Sequence, residues 1–474
     1  MHEYDVELAV VGSGGAAMSA AIAASLAGRG VVLVERGLLG GTCVNIGCVP
    51  SKTLLAAAGA RHGALTHPYD GVPTSAGPVD LGALVAQKDE LVERLRGAKY
   101  ADVADAYGFE IRTGQATFTD MDTLAVDGRP LRARAYLVAT GAQPAVPDLP
   151  GLDGVDWLTS TTAMELPELP ESLVVIGGGY VGMEQAQLFA HLGAQVSLVG
   201  HLAPRAEPEL AAALAAVFAD DGITVTPEHA TRVSQDGDGV VVTTASGAQL
   251  RGQRLLVATG RSPRTDGLDL PAAGVNVDAA GFVMVDERQA TSNPRVYAAG
   301  DVTGGPQYVY VAAAGGRVAA RNAAAVMDAA DAGKDVDDCC APSTARVDYT
   351  GLPAVVFTRP QLASAGMTES EVLAAGIACD CRILDLADVP RALANRDTRG
   401  AVKVVADATT GQVLGVHALA DGAGEMMLAA TYAIRSGMTV DDVADTWAPY
   451  LTMAASLRLT AGLFRYQLPT SCCA

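Results

Sequence analysis

One supersecondary pattern, a glycine-rich turn between a buried strand and a helix, occurs twice in this sequence of 474 residues. In the first copy, an apolar run at residues 5–11 predicts a parallel strand, and the spacing G-x-G-x-x-A begins at Gly12. An alanine-rich stretch then predicts a helix to about Leu26. The apolar run at 31–34 predicts a second strand, which ends in Glu35.

The second copy follows later along the chain. Residues 173–176 predict its first strand, Gly177 begins the spacing G-x-G-x-x-G, and a helix is expected from about Met183 to Leu192. Residues 196–199 predict the next strand. A lone G-x-G-x-x-G is a weak signal, but a strand before it and a helix after it are the context that dinucleotide binding requires. The repeat therefore predicts an α/β fold with two Rossmann-like domains, although a glycine turn without a nucleotide stays an alternative for each copy.

The residue that ends the second strand distinguishes the two copies. Glu35 is placed to accept a hydrogen bond from a ribose 2′-hydroxyl, which suits the ADP half of FAD. In the second copy Gly200 takes that place, followed by His201 and Arg205. Because an acidic residue there would repel a 2′-phosphate, its absence beside two basic side chains favours NADPH over NADH. The turn residues expected to contact the cofactors are Gly12, Gly14, Gly15 and Ala16 for FAD, and Gly177, Gly179 and Gly182 for NADPH.

Shorter patterns complete the predicted organisation. Two similar strand-and-turn peptides end at Gly141 and Gly260, and a further strand ends in Asp301. Beyond about residue 335, apolar runs predict an antiparallel sheet with two or three helices packed on it; these runs are 355–357, 402–405 and 413–417. The expected domains, in chain order, are an FAD-binding domain (1–150), an NAD(P)H-binding domain (151–265), a second part of the FAD-binding and central region (266–338) and a C-terminal α+β domain (339–474).

Composition and charge exclude several classes of function. A net charge of −20 disfavours nucleic acids and anionic membrane surfaces as partners. The N-terminus is acidic and the alanine-rich stretches are interrupted by Arg, Glu or Gly, so neither a secretory signal nor a transmembrane helix is expected. The sequence therefore predicts a cytoplasmic protein without stable membrane association. In that compartment its eight cysteines are more often catalytic or metal-binding than structural.

Two of these cysteines stand in the most informative stretch, which runs from Gly40 to Lys52 and reads GGTCVNIGCVPSK. Cys43 and Cys48 are expected to open a helix, whose N-terminus lowers the pKa of a thiol and raises its thiolate content. A structural disulfide is disfavoured in the cytoplasm. A zinc site would need two more ligands close in sequence, and none is present, although a structural or zinc-binding role stays open.

The stretch resembles the active site of the flavin-dependent pyridine nucleotide–disulfide oxidoreductases, a family that includes glutathione reductase and dihydrolipoamide dehydrogenase. The resemblance covers essentially the whole chain and implies a homodimer with a C-terminal dimerisation domain. It implies that Cys48 is the thiol in charge-transfer contact with the flavin and that Cys43 is the interchange thiol. The other implied roles are as follows: Lys52 near the flavin N5 and paired with Glu184, Tyr180 over the nicotinamide pocket, Asp301 on the ribityl chain, and further cofactor contacts from Thr42, Ala116, Thr140, Gly141, Gly260 and Val309.

The C-terminal region departs from the members of this family that reduce organic disulfides. Those enzymes carry a histidine–glutamate pair there, because a departing thiolate must be protonated and histidine is the usual acid near neutral pH. In this chain Ala448 takes the place of that histidine, and the last histidine of the sequence is His417. A general acid for thiol exchange is therefore missing where the family needs one.

A second thiol pair, Cys472 and Cys473, stands next to the last residue. Adjacent cysteines have Cα atoms about 3.8 Å apart, below the usual disulfide range of about 4.4–6.8 Å. The pair is better suited to hold a soft metal ion and to pass it inward by ligand exchange. A chance pair at a chain end stays an alternative.

Both departures resemble the members of this family that reduce Hg(II). The resemblance implies an enzyme that reduces Hg(II) to Hg(0) with NADPH and FAD. Hg(II)–thiol complexes would be captured by Cys472 and Cys473 of one subunit and passed to Cys43 and Cys48 of the other, with Tyr450 and Tyr180 flanking the metal. Many such enzymes carry an N-terminal metal-binding module with a C-x-x-C motif. This chain starts at the first strand, so delivery from such a module in cis is not expected.

Three other functions stay open at this point. The nearest is an organic disulfide reductase, which predicts a C-terminal histidine. A protein that sequesters Hg(II) without turnover leaves two dinucleotide units unexplained, and a flavin diaphorase leaves the terminal thiols unexplained. The remaining cysteines are interpreted as incidental, Cys339 and Cys340 in a connector and Cys379 and Cys381 in a loop of the third domain, with a second metal relay as the alternative.

Overall fold

The computed structural model describes residues 4–333 and 345–465. The predicted boundary near residue 340 and the cysteines 339, 340, 472 and 473 lie outside the described residues. The described chain divides into two compact units. The first comprises the described parts of Met1–Thr53, Val85–Ala145 and Gly260–Asp348, and the second those of Leu54–Leu84, Val146–Thr259 and Tyr349–Ala474.

Up to residue 145 the pattern is a strand, a helix and a strand, then helices, then short strands. The bounds are β1 Val6–Val11, α1 Gly15–Leu26, β2 Val31–Glu35, α2 Gly41–Asn45, α3 Cys48–Thr66, α4 Leu81–Arg96, α5 Asp102–Tyr107, β3 Glu110–Thr113, β4 Ala116–Asp120, β5 Thr123–Val126, β6 Arg129–Leu131, β7 Ala133–Val138 and β8 Ala142–Pro144. The first predicted strand–turn–helix–strand unit is confirmed.

The middle of the chain contains the second strand–helix–strand pattern, and from Gly260 onward its elements belong to the first unit again. The bounds are β9 Trp157–Leu158, α6 Ser160–Ala163, β10 Ser172–Ile176, α7 Tyr180–Leu192, β11 Gln195–Val199, α8 Pro208–Asp220, β12 Thr224–Thr226, β13 Ala230–Asp236, β14 Gly239–Thr244, β15 Gln249–Gly252, β16 Arg254–Val257, β17 Arg261–Pro263, β18 Val296–Ala298 and α9 Val309–Asp331.

After residue 345 the elements are those of an α+β domain. The bounds are β19 Pro353–Val356, β20 Gln361–Gly366, α10 Glu369–Ala374, β21 Cys379–Asp385, α11 Pro390–Asn395, β22 Ala401–Asp407, β23 Val413–Ala420, α12 Ala423–Arg435, α13 Val440–Asp445 and α14 Ala455–Gly462.

The first unit is built on a parallel sheet with strand order β18-β7-β1-β2-β3. Strand β1 carries apolar side chains on both faces, as a central parallel strand must, and Leu8 and Val10 belong to a different core cluster from Ala9 and Val11. Helices α1 and α9 pack against each other on one side. The turn between β1 and α1 therefore lies at the carboxyl edge of the sheet, where open α/β sheets bind ligands.

The second unit contains a parallel sheet, β12-β11-β10-β16-β9, and an antiparallel one, β19-β20-β23-β22-β21. The predicted antiparallel sheet is confirmed, and α12 and α14 pack on it. Two of its strands, β20 and β21, were not predicted. The prediction that Cys379 and Cys381 lie in a loop is wrong, since both belong to β21, which pairs with β22 along its whole length. Only one residue of β21 is fully buried, so the strand lacks an apolar signal.

Helix α7 begins at Tyr180, three residues before the predicted start near Met183. The sequence alone disfavours a helix that includes Gly182, because glycine weakens a helix interior. Here a Cβ at Gly182 would lie 1.9 Å from the carbonyl oxygen of Gly177, so the first turn of α7 contacts the preceding strand end directly. Packing thus outweighs the helix propensity of this glycine.

Among the described residues, no helix combines the length and the apolar character needed to cross a membrane.

The contact between α1 and α9 depends on a glycine and gives a test of the fold. A Cβ at Gly316 would lie 2.1 Å from the carbonyl oxygen of Ala16. We expect Gly316→Ala to destabilise the protein by about 1–3 kcal/mol, because the two helices must separate. Gly63→Ala in α3 is the control: its Cβ would meet only the Arg359 side chain at 3.5 Å or more, so a gain of up to about 1 kcal/mol is expected. Thermal unfolding midpoints followed by circular dichroism distinguish the two, and equal shifts would contradict the packing argument.

Candidate active site

The two cysteines of the informative stretch lie on consecutive helices. Cys43 is the third residue of α2, and Cys48 is the first residue of α3. The prediction that both open one helix is therefore wrong. The chain turns sharply between them at Gly47, where a Cβ would lie 2.9 Å from the carbonyl oxygen of Thr42. Neither cysteine is part of a disulfide; Cys43 is half-buried and Cys48 is exposed.

The pKa of Cys43 is raised rather than lowered. The largest cause is its hydrogen bond with the Cys48 thiol, followed by burial and by the negative charge of Cys48. The backbone N–H of Cys48, at the N-terminus of α3, and the charge of Lys52 oppose this shift but do not reverse it. The sequence-based expectation of a lowered pKa is therefore wrong for Cys43. The helix N-terminus acts on the thiol as expected, but a second thiol at contact distance outweighs it.

Side chains that the sequence did not single out surround the pair. Burial, followed by the charges of the two cysteines, raises the pKa of Tyr100 to about 12. The guanidinium of Arg261 lies near enough to Cys48 to interact with its charge. Burial lowers the pKa of this guanidinium, while the charges of Asp301 and Cys48 raise it. Its Nε lies 3.7 Å from Asp301 Oδ2. The one sequence signal for Arg261 was its position directly after Gly260.

Asp301 lies in the first unit, and its carboxylate is half-buried. Burial raises the pKa of Asp301, and the nearby charges of Arg261 and Arg264 counteract part of that shift. A half-buried carboxylate faced by two guanidinium groups can stay charged and accept hydrogen bonds. The geometry is compatible with the ribityl contact expected for it, which stays a prediction.

A pocket at the carboxyl edge of the first sheet gathers most of the residues expected to contact FAD. Its lining includes Gly12, Ser13, Gly14, Glu35, Arg36, Thr42, Ala116, Thr140, Gly141 and Arg264. The backbone at Gly12 is so close to β7 that a Cβ there would lie 2.4 Å from the carbonyl oxygen of Ala139. At Gly41 a Cβ would lie 2.5 Å from the Cα of Gly14. Glycines thus leave the space beside the turn open to a ligand.

Polar groups in this pocket are oriented for a ligand. Glu35 accepts hydrogen bonds from Ser13 Oγ at 2.5 Å and from the Gly37 N–H at 2.7 Å, which fixes its carboxylate at the end of β2. The hydroxyl of Thr140 is buried and has no hydrogen-bond partner among the described residues. Since a buried hydroxyl without a partner is unfavourable, a bound ligand with polar atoms fits this position. The donor set suits the ribose and pyrophosphate of a dinucleotide.

Three other expected FAD contacts lie beside the pocket. A Cβ at Gly15 would lie 3.0 Å from Val309 Cγ2, so the start of α9 is close to the turn. Ala16 lies against Gly300 and Gly316. These residues shape the turn through close packing; their contacts with the cofactor stay predictions.

The second glycine turn has the same close approach. A Cβ at Gly177 would lie 2.3 Å from the carbonyl oxygen of Ala258, and one at Gly178 would lie 2.1 Å from that of His201. His201 and Arg205 are both exposed. The His201 ring also lies 5.7 Å from the ring of His229, a basic residue that the sequence did not single out. His229 is 28 positions further along the chain, so no local pattern could have indicated it.

The remaining expected catalytic residues lie in separate places. Glu184 is buried on α7 and accepts a hydrogen bond from the Phe357 N–H at 3.0 Å. Tyr180 is the first residue of the same helix. Tyr450 is exposed. Lys52 and Glu184 belong to different units, and their pairing stays a prediction.

The last histidine of the chain, His417, is buried and makes a hydrogen bond inside a sheet. His417 lies on β23, is buried, and its Nε2 is 2.9 Å from the carbonyl oxygen of Met367. Burial is the main cause of its lowered pKa. A histidine so buried and bonded inside a sheet is unsuited to protonate a departing thiolate.

Comparison with known proteins decides the family. Residues 6–316 match the pyridine nucleotide-disulphide oxidoreductases, and residues 352–461 match the dimerisation domain of the same enzymes. The chain belongs to the pyridine nucleotide-disulphide oxidoreductase family. The predicted fold class, with two dinucleotide-binding regions and a C-terminal dimerisation domain, is confirmed.

Among relatives in this family, a mercuric reductase of Streptomyces lividans is 50% identical, over 99% of this chain and 98% of the relative. A mercuric reductase of Lysinibacillus sphaericus is 43% identical, over 100% of this chain and 85% of its own length. Among solved structures, the HOCl-induced flavoprotein disulfide reductase RclA of Escherichia coli has a TM-score of 0.83 and 29% identity, covering 97% of this chain and 100% of its own. LpdA of Mycobacterium tuberculosis has a TM-score of 0.82 and 28% identity, with the same coverage.

The raised pKa of Cys43 gives a test of the geometry. In Cys48→Ser the like charge is lost, and a hydroxyl replaces the thiol, so the pKa of Cys43 should fall. At a pH below its pKa, the thiolate fraction of Cys43 rises about tenfold when its pKa falls by about one, and the alkylation rate of Cys43 rises with it. We expect iodoacetamide to modify Cys43 at least about tenfold faster at neutral pH, measured by mass spectrometry of the peptide in the reduced holoenzyme. Cys379→Ser removes a thiol elsewhere and should leave the rate unchanged; an unchanged rate in Cys48→Ser would contradict the coupling.

Proposed function

We propose that this protein is a mercury(II) reductase, which uses NADPH and FAD to reduce Hg(II) to Hg(0). The observation that carries the proposal is a contacting pair of cysteines outside any disulfide, one of them exposed, beside a half-buried arginine and a dinucleotide pocket. The last histidine of the chain is buried and bonded, which disfavours reduction of an organic disulfide. The names of the relatives of 50% and 43% identity support the same activity.

The residues present fit FAD in the first unit. Glu35, held by Ser13, would bind the ribose, the N–H groups after Gly12 would bind the pyrophosphate, and the unpaired hydroxyl of Thr140 would gain a partner. When bound, the flavin supplies the relay that passes two electrons from NADPH to the thiol site. Gly177, Gly179 and Gly182 would hold NADPH in the second unit, with His201, Arg205 and His229 facing the 2′-phosphate.

The thiols hold the metal. Hg(II) arrives as a complex with small thiols and exchanges its ligands one at a time, since a thiolate attacks the metal as a carrier thiol leaves. Cys48, the exposed thiol, would take the metal first, and Cys43 would follow as its proton leaves. The metal replaces that proton between the two sulfurs, so the like-charge repulsion that raises the pKa of Cys43 disappears. Arg261 and Lys52 stabilise the thiolates meanwhile.

The overall reaction balances without a general acid at the sulfurs. The hydride that NADPH would supply carries two electrons and a proton. Hg(II) takes the two electrons and leaves as Hg(0), and the proton replaces the one that Cys43 lost when the metal bound. The two carrier thiols leave before the reduction, one with the proton of Cys43 and one as a thiolate that solvent protonates. Both cysteines end as they began, and a thiolate leaves Hg(II) without a buried acid to protonate it. The replacement of the family histidine by Ala448 therefore removes nothing that this reaction needs.

The proposal includes a homodimer in which the terminal Cys472 and Cys473 of one subunit deliver Hg(II) to Cys43 and Cys48 of the other. The match to a dimerisation domain supports the homodimer. Large apolar side chains are exposed within that domain: Trp447 is 98% exposed, and Tyr432, Tyr450 and Leu451 are also exposed. Exposed aromatic residues of this kind are typical of protein interfaces. Tyr450 would flank the metal together with Tyr180, and the protein would act in the cytoplasm, where thiols stay reduced.

The function is tested by Hg(II)-dependent NADPH oxidation in excess low-molecular-weight thiol. We expect Cys43→Ser and Cys48→Ser each to lower kcat by at least about 100-fold, roughly 2.7 kcal/mol of transition-state stabilisation, because each removes a ligand of the metal. The double variant Cys472→Ser/Cys473→Ser should lower kcat/KM by about tenfold, since it affects capture rather than reduction. Cys379→Ser/Cys381→Ser, which removes another thiol pair, is the matched control and should keep full activity. NADPH oxidation that ignores Hg(II) but responds to an organic disulfide would contradict the proposal.

The choice of nicotinamide gives a second test. If Arg205 binds the 2′-phosphate, Arg205→Ala should lower kcat/KM with NADPH by about tenfold and leave kcat/KM with NADH nearly unchanged. Arg232→Ala removes an exposed arginine from the same unit, outside the glycine turn, and is the charge-matched control. Equal losses with both nucleotides, or equal losses in both variants, would refute phosphate recognition by Arg205.

A further inference from the structure

A thiol pair distinct from both Cys43–Cys48 and Cys472–Cys473 lies in the α+β domain, on β21. Cys379 and Cys381 are two positions apart on one strand, so their side chains point to the same face of the sheet. Their Sγ atoms are 3.1 Å apart, and both residues are half-buried. The pair belongs to the second unit, whereas Cys43 and Cys48 belong to the first.

A carboxylate from another element joins this pair. Glu369 is the first residue of α10, and its side chain, Cys379 Sγ and Cys381 Sγ offer three ligand atoms within 4.8 Å of one another. Two soft sulfur atoms and one oxygen match the ligand sets of d10 cations such as zinc. The three residues come from a strand and a helix start, so the grouping is a product of the fold rather than of a local sequence motif.

The charges around Glu369 favour a cation. Lys403 is only 2% exposed, and its Nζ donates hydrogen bonds to Glu207 at 2.8 Å, Glu209 at 3.0 Å and Glu369 at 2.7 Å. Three carboxylates at hydrogen-bond distance stabilise the buried ammonium group of Lys403. One positive group thus faces three carboxylates, and a divalent cation beside Glu369 would balance the remainder.

We propose that Cys379, Cys381 and Glu369 form a binding site for a tetrahedral thiophilic divalent cation, Zn(II) or Cd(II), with water as the fourth ligand. A tetrahedral ion with bonds of about 2.3 Å needs sulfur atoms roughly 3.8 Å apart, which a small rotation of each side chain supplies. A linear ion with similar bonds needs roughly 4.6 Å. Two thiol protons leave when the cation binds, and Glu369 can use the oxygen that does not contact Lys403.

Another cluster of potential ligands among the described residues of this unit shows how the surrounding charge separates a cation site from a cluster that would repel a cation. His62, His191 and Asp221 also offer three atoms close together. Asp221 already accepts bonds from Gln187 at 2.7 Å and His191 at 3.0 Å, and Arg399 lies 3.9 Å away. Burial, the charge of His191, and those of Arg359 and Arg399 lower the pKa of His62 to about 4, while Asp221 opposes the shift. A cation there would face two guanidinium groups, whereas the thiol cluster faces a surplus of carboxylates.

The test measures Cd(II) bound to the purified holoenzyme by equilibrium dialysis. We expect Cys379→Ser/Cys381→Ser to bind one equivalent per chain less than the unmodified protein, with Hg(II)-dependent NADPH oxidation unchanged. We expect Glu369→Gln to weaken Cd(II) binding at this site by at least about tenfold, the lower end of what groups next to metal ligands contribute. Glu209→Gln is the matched control, because Glu209 also contacts Lys403 and is similarly exposed but is not part of the thiol cluster.

A variant with the other six cysteines replaced by serine, at positions 43, 48, 339, 340, 472 and 473, isolates the site. It should bind one Cd(II) per chain, with two sulfur ligands in the X-ray absorption spectrum. An unchanged stoichiometry in Cys379→Ser/Cys381→Ser, or no binding by the six-serine variant, would overturn the site. Equal effects of Glu369→Gln and Glu209→Gln would overturn Glu369 as a ligand. None of these results depends on mercury reduction, which the activity measurement tests separately.

Discussion

The close approach of backbone to backbone at the two glycine turns is the contact on which both dinucleotide regions depend. Gly12 lies against the carbonyl of Ala139 and Gly177 against that of Ala258, with room for no Cβ in either place. In both halves the partner alanine stands in an Ala-Thr-Gly peptide that follows a parallel strand. The recurrence of that peptide in the sequence is thus explained: each copy forms the wall against which a glycine turn folds, and each leaves an N-terminal helix end free for a phosphate.

Local patterns in the sequence were sufficient for the elements whose signal is local. Strands β1, β2, β10 and β11 are apolar runs, and the turns between strand and helix carry their glycines at fixed spacing. The start of α7 and the separation of the two cysteines onto α2 and α3 could not be predicted in the same way, because each depends on a glycine that contacts a carbonyl oxygen from another position. Whether a glycine breaks a helix or permits a contact is decided by its neighbours in space.

The same distinction applies to the candidate site. The sequence identified Cys43, Cys48 and Glu35 because the role of each can be inferred from the residues next to it along the chain. Arg261 and Tyr100 were missed, since their relation to the cysteines arises from folding alone. The predicted direction of the Cys43 pKa shift was wrong for a related reason. A helix N-terminus can be inferred from the sequence, but the hydrogen bond with Cys48 that outweighs it exists only in the folded chain.

The two described thiol pairs differ in how the backbone holds them. Cys43 and Cys48 stand on separate helices joined by the turn at Gly47, so in the proposed reaction their sulfur separation could adjust as the metal binds and leaves. Cys379 and Cys381 are fixed two residues apart on a strand that pairs with β22 along its length. The strand fixes the spacing of the two cysteines. Lys403 and the three carboxylates that it contacts leave a negative charge beside them. The first arrangement suits turnover of a substrate metal, and the second suits retention of a resident one.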